Sequence, residues 1–159
     1  SHADIVAARD TVLSQKTLTV AVLDETSVPD MGVSPFILRD DGLYIYTSHL
    51  AGHVQALLSQ KQASFIIATD EAATQNIWAR HRLKFYASVS EIPRDAADFA
   101  DLCNMFTSVH GSTMGLIKNF TDFHMLHILP EHGVLVLGFA KAFYVNGAEF
   151  DIVAHLSRA

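Results

Sequence analysis

Three cations recur at every second position in Trp78-Ala79-Arg80-His81-Arg82-Leu83-Lys84-Phe85-Tyr86, in a chain with a formal charge of -6 that owns only 11 Lys and Arg. Side chains alternate across a β-strand. A single strand from Ile77 to Ile92 therefore puts Trp78, Arg80, Arg82, Lys84 and Tyr86 on one face and Ile77, Ala79, Leu83, Phe85, Ala87 and Val89 on the other. The second set is a core face. The first is either a solvated exterior or an anion-binding wall. Its aromatic flanks favour the wall, because a flat anionic cofactor needs a stacking surface as well as cations for its acidic groups.

The histidines are the other candidate donors. Ser48 is a good N-cap for a helix from His49 to about Gln60, on which His49 and His53 lie one turn apart, at metal-ligand spacing but with no Glu or third ligand nearby in the sequence. An interface is the competing use for that pair. His124 and His127 fall on opposite faces of one strand, so no more than one of them faces a given site, while His81 and His110 read as structural. Tyr44 and Tyr46 share a face two residues apart and would either frame a planar ligand or pack in a barrel. Cys103 lies in a helical apolar run and reads as a small buried hydrophobe rather than a nucleophile.

The elements that must hold these groups follow from hydrophobic period and turn residues. Ala3 to Gln15 is a modest amphipathic helix, and Leu18 to Leu23 is a β-branched strand. Met31 to Leu38 returns, with Pro35 at an edge or bulge, and Asp40-Asp41-Gly42 turns the chain into a third strand from Leu43 to Thr47. After the helix that follows Ser48, with a stripe of Leu50, Val54, Leu57 and Leu58, Ala63 to Ala68 is a strand and Thr69 to Gln75 an acidic loop. Asp95 to Val109 is a helix ended by Gly111, and Thr113 to Asn119 is a second, short one. Phe123 to Leu129 is a strand, Pro130-Glu131-His132-Gly133 a turn, Val134 to Val145 a long strand bent near Gly138, and Phe150 to Ala154 the closing strand after Asn146-Gly147. Six or seven antiparallel strands in 159 residues curl into a barrel with helices outside, an α+β or β-barrel class.

Composition removes several function classes. At 159 residues and half hydrophobic, the chain fits one globular domain over residues 1–159, with Ser1-His2 resembling a tag remnant and residues 3–15 the N-terminal helix. No apolar run approaches the roughly 20 residues of a membrane helix, and one cysteine excludes a disulfide framework. The expected setting is cytoplasmic, without a membrane. The acidic balance argues against nucleic acid as a partner.

Taken in order, Pro35-Phe36, Tyr44-Ile45-Tyr46-Thr47-Ser48-His49-Leu50 with His53, Ala79-Arg80-His81-Arg82-Leu83, Asp122-Phe123, and Gly133 through Gly138-Phe139-Ala140-Lys141-Ala142-Phe143 form a recognisable succession. It resembles the haem-utilisation proteins of the HugZ and HutZ type, in the pyridoxamine-5'-phosphate-oxidase-like, FMN-binding split-barrel superfamily. The resemblance runs from about Lys16 to Leu156.

It implies a six-stranded antiparallel split β-barrel with peripheral helices, a homodimer with its ligand in clefts between subunits, and haem as the cofactor. In several members haem is broken open with oxygen and an electron donor, in the service of iron acquisition. Residue by residue, it puts Arg82 near haem and Asp122 behind the axial imidazole; the strand reading adds Arg80 and Lys84 for anionic groups, and Trp78 either to stack on a tetrapyrrole edge or to cap the barrel rim. It expects that axial histidine a few residues beyond His155-Leu156, past Ala159, which leaves His155 as the candidate metal ligand within the sequence. The alternatives are an FMN-dependent oxidoreductase and a haem carrier without turnover. In the flavin-binding relatives Thr47-Ser48 through His53 would cradle the phosphate, with a lysine where this chain has His53. Val134 and Ala140 depart from the arginine or aromatic and the glycine expected there.

Overall fold

The computed structural model describes residues 1–156 of the chain. Strand β1 (Thr17–Leu23) turns Leu18, Val20 and Val22 inward at every second position, and β2 (Pro29–Arg39) and β3 (Gly42–Ser48) follow it as an antiparallel meander. The turn between β2 and β3 needs glycine at Gly42: its φ is 126°, and an added Cβ would lie 2.6 Å from the Ile128 carbonyl oxygen. Strand β4 (Gln62–Ala68) pairs with β1, β5 (Arg82–Ile92) with β4, and β6 (Phe123–Gly138) with β5. Pairing of β3 with β6 then closes a six-stranded antiparallel barrel. Strands β7 (Lys141–Asn146) and β8 (Asp151–His155) extend the sheet from the second half of β6, giving eight strands among the described residues where the sequence count was six or seven.

The barrel is filled by the alternating inward residues, among them Leu83, Phe85, Ala87 and Val89 of β5. The Phe85 ring stacks on Phe65 at 5.8 Å and meets Phe150 edge-on at 5.2 Å. Helix α1 (His2–Leu13) contributes Val12 and Leu13 to this core, and α2 (Gly52–Gln60) contributes Ala56 and Leu57. A second core forms outside the barrel, where α3 (Phe99–His110) and α4 (Thr113–Ile117) cover Ile37, Tyr44, Tyr46 and Met125 with Leu102, Cys103, Phe106 and Met114. Tyr44 and Tyr46 are therefore packing residues. Burial raises the Cys103 thiol above its ordinary pKa, in keeping with a structural role.

Four sequence expectations give way to local competitors. Ile77 to Ile92 is not one strand: Ile77–Ala79 is a single 3-10 turn, with the Asn76 side chain accepting the Trp78 N–H at 3.1 Å, and β5 begins only at Arg82. Ile77 and Ala79 consequently leave the core face, and Trp78 stands 77% exposed. The helix after β3 starts at Gly52, not His49, so His49 lies in a turn and Leu50 is exposed. No turn forms at Pro130-Glu131-His132-Gly133. Strand β6 runs through it for 16 residues with a bulge, because a residue lacking an N–H is tolerated where the ladder is already interrupted. The long strand expected from Val134 to Val145 is instead a hairpin, turning at Gly138 to Ala140, where Gly138 has φ 151° and Ala140 φ 54°.

Candidate functional site

Titratable side chains collect where β3 ends beside the start of β6, Ser48 pairing with Phe123 and Thr47 with His124. The Ser48 hydroxyl donates to Asp122 Oδ2 at 2.5 Å and accepts the Leu50 N–H at 3.1 Å, while the His49 N–H donates to the Asp122 carbonyl at 2.9 Å. The serine is thus a local clamp on a turn rather than a helix cap. Its hydroxyl is the main reason the Asp122 carboxyl lies below its ordinary pKa, with the positive potential of His49 and His124 adding to it.

Two imidazoles and a second carboxylate continue from this turn. His49 Nδ1 lies 2.8 Å from His124 Nε2, and His124 Nδ1 donates to Glu91 Oε2 at 2.5 Å. The two rings are 5.1 Å apart between centroids and tilted by 46°. His124 is the one of the His124 and His127 pair that faces this cluster, while Glu91 is not a candidate from the sequence. The signal that unites them is the antiparallel register of β5 with β6, in which Glu91 pairs with Leu126 and Ile92 with Met125. Among the described residues, no group of three or more His, Cys, Asp or Glu side chains is placed to hold a metal ion.

The cationic wall is only partly assembled. Arg82, Lys84 and Tyr86 do share the outer face of β5. Arg80 does not belong to that row: its Nε donates to the Thr69 carbonyl at 2.6 Å and its Nη1 approaches Glu71 at 3.4 Å. Arg82 Nη1 donates to the Arg80 carbonyl at 2.9 Å. Lys84 is exposed and makes no salt bridge among the described residues. In register, Lys84 sits in an outward row that runs Val33, Thr19, Ile66, Lys84, Val134, Tyr144 across five strand pairs. Val33, Met31 and Ile66 are exposed apolar residues of this face. A concavity of about 310 Å³ opens beside it, with Ala21, Pro29, Gln62 and Tyr86 in its walls.

The remaining candidates lie apart. The His53 ring packs on Gly32, where an added Cβ would come within 2.2 Å of it. His155 Nε2 donates to the Ala140 carbonyl at 2.8 Å, and its ring meets Phe143 edge-on. Arg82 opens β5 and Glu91 lies nine residues further along the same strand; at about 3.3 Å per residue this is roughly 30 Å. One copy of the chain therefore brings Ser48, His49 and Asp122 together with His124 and Glu91, and holds the Arg82 end of the wall far from them. No helix of the described residues is long and apolar enough to cross a membrane.

No known family profile matches the chain. Over 142 residues it is 29% identical to the haem oxygenase HutZ of Vibrio cholerae serotype O1, a match covering 89% of this chain and 81% of that protein. A crystal structure of Vibrio cholerae HutZ, described there as a haem storage protein, superposes with a TM-score of 0.75 at 26% identity over 82% of this chain and 91% of the other. Campylobacter jejuni ChuZ reaches a TM-score of 0.85 at 19% identity, covering 97% of this chain and 63% of ChuZ. A Clostridium acetobutylicum protein of the pyridoxine-phosphate oxidase family follows at 0.66 and 13%, covering 95% of this chain and 99% of its own. The last two likenesses are likenesses of fold. The chain has the pyridoxamine-phosphate-oxidase-like split barrel, and its resemblance to HutZ extends along most of its length.

Proposed function

We propose that this relative of the haem-utilisation split barrels binds haem, in the cytoplasm, in a site completed by a second copy of the chain. The observation that carries the reading is the cluster of Ser48, His49, Asp122 and His124: an ionised carboxylate and two imidazoles at one turn. That donor set suits an iron tetrapyrrole, whose metal needs nitrogen ligands from the protein and a carboxylate to orient them. Arg82 and Lys84 supply cations for propionate groups, Arg82 in a bidentate geometry that guanidinium favours. Haem, when bound, supplies the redox and oxygen chemistry; the chain's residues position it, hold a proton at the imidazoles and set the charge around it.

The second copy is required by distance. With Arg82 and the Asp122 cluster roughly 30 Å apart along β5, both touch one ligand only if a two-fold partner presents its opposite end. The outward face with exposed Met31, Val33 and Ile66 beside Lys84 and the half-buried Val134 is a suitable self-complementary surface.

A flavin reading finds less support. The Ser48 hydroxyl is engaged by Asp122, whose negative charge repels a phosphate at the same turn, and the His53 ring lies against Gly32. The two descriptions of HutZ, oxygenase and storage protein, differ on turnover. We take degradation of haem, with an external electron donor, as the activity to be tested after binding.

The test is a titration of the apo-protein with hemin and, separately, with FMN, each followed by gel filtration. Stoichiometric haem retention on a dimer is the expected result. Retention of FMN in place of haem overturns the reading. Adding ascorbate to the haem complex then separates turnover, seen as loss of the Soret band with release of iron, from storage.

A further inference from the structure

We propose that Arg94 is a positioning residue for Asp122: its guanidinium fixes the backbone on both sides of that residue and so aims the carboxylate at Ser48. The inference rests on the haem-binding reading above, in which Asp122 belongs to the site, and adds the residue that holds it there.

Arg94 lies outside the cluster, on the turn that leaves β5, where the Ala96 N–H donates to the Pro93 carbonyl at 3.0 Å. Ile92, the last residue of β5, pairs with Met125 of β6. The turn therefore runs beside residues 118–123, which join α4 to β6. Carbonyls at the end of a helix find no partner within it, and Arg94 collects those of this segment. Its Nη1 donates to the Lys118 carbonyl at 2.8 Å, and its Nη2 donates to the Phe123 carbonyl at 2.9 Å and to the Phe120 carbonyl. The Tyr46 hydroxyl, 3.2 Å from Nη2, donates in turn toward the Ile117 and Lys118 carbonyls at 3.0 Å.

Phe120 and Phe123 bracket Thr121 and Asp122, so one planar group pins the chain before and after the carboxylate. On the other side, the Asp122 carbonyl accepts the His49 N–H at 2.9 Å and Oδ2 accepts the Ser48 hydroxyl at 2.5 Å. A slip of about 1 Å takes the Ser48 contact out of hydrogen-bond range. Arg94 makes no salt bridge among the described residues. Its charge faces carbonyl dipoles and the Phe99 ring, 5.4 Å from the centroid. The charges that lower the Asp122 pKa are those of His49 and His124. Arg94 therefore acts through geometry, and that geometry needs guanidinium. Lysine carries its three hydrogens on one atom and cannot span carbonyls that arginine reaches from two nitrogens.

Carbon-13 NMR of the Asp122 carboxyl through a pH titration of the apo-protein, in the wild type, Arg94→Ala, Arg94→Lys and Arg39→Ala, tests the assignment. Arg39 is the control: it approaches Asp41 and Asp98 at 3.8 and 3.6 Å and lies over the Tyr44 ring, on the same outer core, without bonding residues 118–123. Both Arg94 variants are expected to move the Asp122 titration up toward the ordinary carboxylate range, and Arg39→Ala to leave it in place. Guanidinium ion at millimolar, non-denaturing concentration is expected to restore the wild-type titration to Arg94→Ala, where ammonium ion does not. Hemin retention by the Arg94 variants is expected to weaken about tenfold. Thermal unfolding establishes that each variant is folded, and Arg94→Gln serves in place of an unfolded alanine variant. An unmoved Asp122 titration in folded Arg94 variants, or an equal shift in Arg39→Ala, overturns the inference and leaves the haem reading standing. An Arg94→Lys protein that titrates like the wild type overturns it too, since charge alone then suffices. A shifted titration together with failure of the wild type to retain hemin overturns the haem reading and leaves the placement of Asp122 by Arg94 intact.

Discussion

If each site takes Arg82 from one copy and Asp122 from the other, two defective chains should repair each other. The two residues sit at opposite ends of one strand pair, and nine steps of β5 separate Arg82 from Glu91, the strand residue tied to the cluster. At about 3.3 Å per step the gap is roughly 30 Å. No rotamer change closes it within one chain. Homodimers of Arg82→Ala or of Asp122→Ala then lack an essential group in every site. A mixed dimer has one site with both groups intact and one with neither, so it should retain haem at one site of the two under conditions where each parent dimer retains none. Co-expression with two different affinity tags, sequential purification of the mixed dimer, and measurement of haem per dimer from the Soret band after gel filtration make the assay. A mixed dimer no better than its parents refutes the shared site, and parents that retain haem like the wild type refute the roles of the two residues.

Two further outcomes concern the scaffold and the turn. An added Cβ at Gly133 would lie 2.1 Å from the Lys84 carbonyl oxygen and 2.5 Å from the Phe85 ring, so Gly133→Ala must push β6 away from β5. A cost of about 1–3 kcal/mol is expected, read as a melting temperature lower by about 2–4 °C per kcal/mol; an unchanged midpoint means the strands do not approach as described. Asp122 has a folded-state pKa below its unfolded value. Its contribution to stability is therefore present above the unfolded carboxylate pKa, about 3.9, and lost as pH falls through the lower, folded value. The difference in urea midpoint between wild type and Asp122→Asn should narrow below about pH 4, and a difference constant to pH 2 contradicts the clamp.

Much of the barrel was legible from local signals. Alternation in Leu83-Lys84-Phe85-Tyr86-Ala87 marks a two-faced strand because the pleat itself has period two, and Asp40-Asp41-Gly42 marks a turn because only glycine tolerates the backbone angle there without a Cβ clash. Ser48, His49 and Asp122 stood out by type and by their place in a known succession of motifs. The tertiary structure decided what those residues touch. Trp78 and Arg80 continue the alternation on paper, yet the Asn76 side chain and the Thr69 carbonyl hold them in a turn and a loop. Pro130 looks like a turn residue and is carried inside a strand, since a bulge in the β5–β6 ladder removes the need for its N–H. Glu91, His124 and His49 lie on three separate stretches of chain, and only the closure of the barrel through β3 and β6, with β5 in register on the other side, places them in one line. Hydrophobic period reports which face a residue takes. It carries no information on which residue of another strand lies opposite, and the chemistry of this site depends on that pairing.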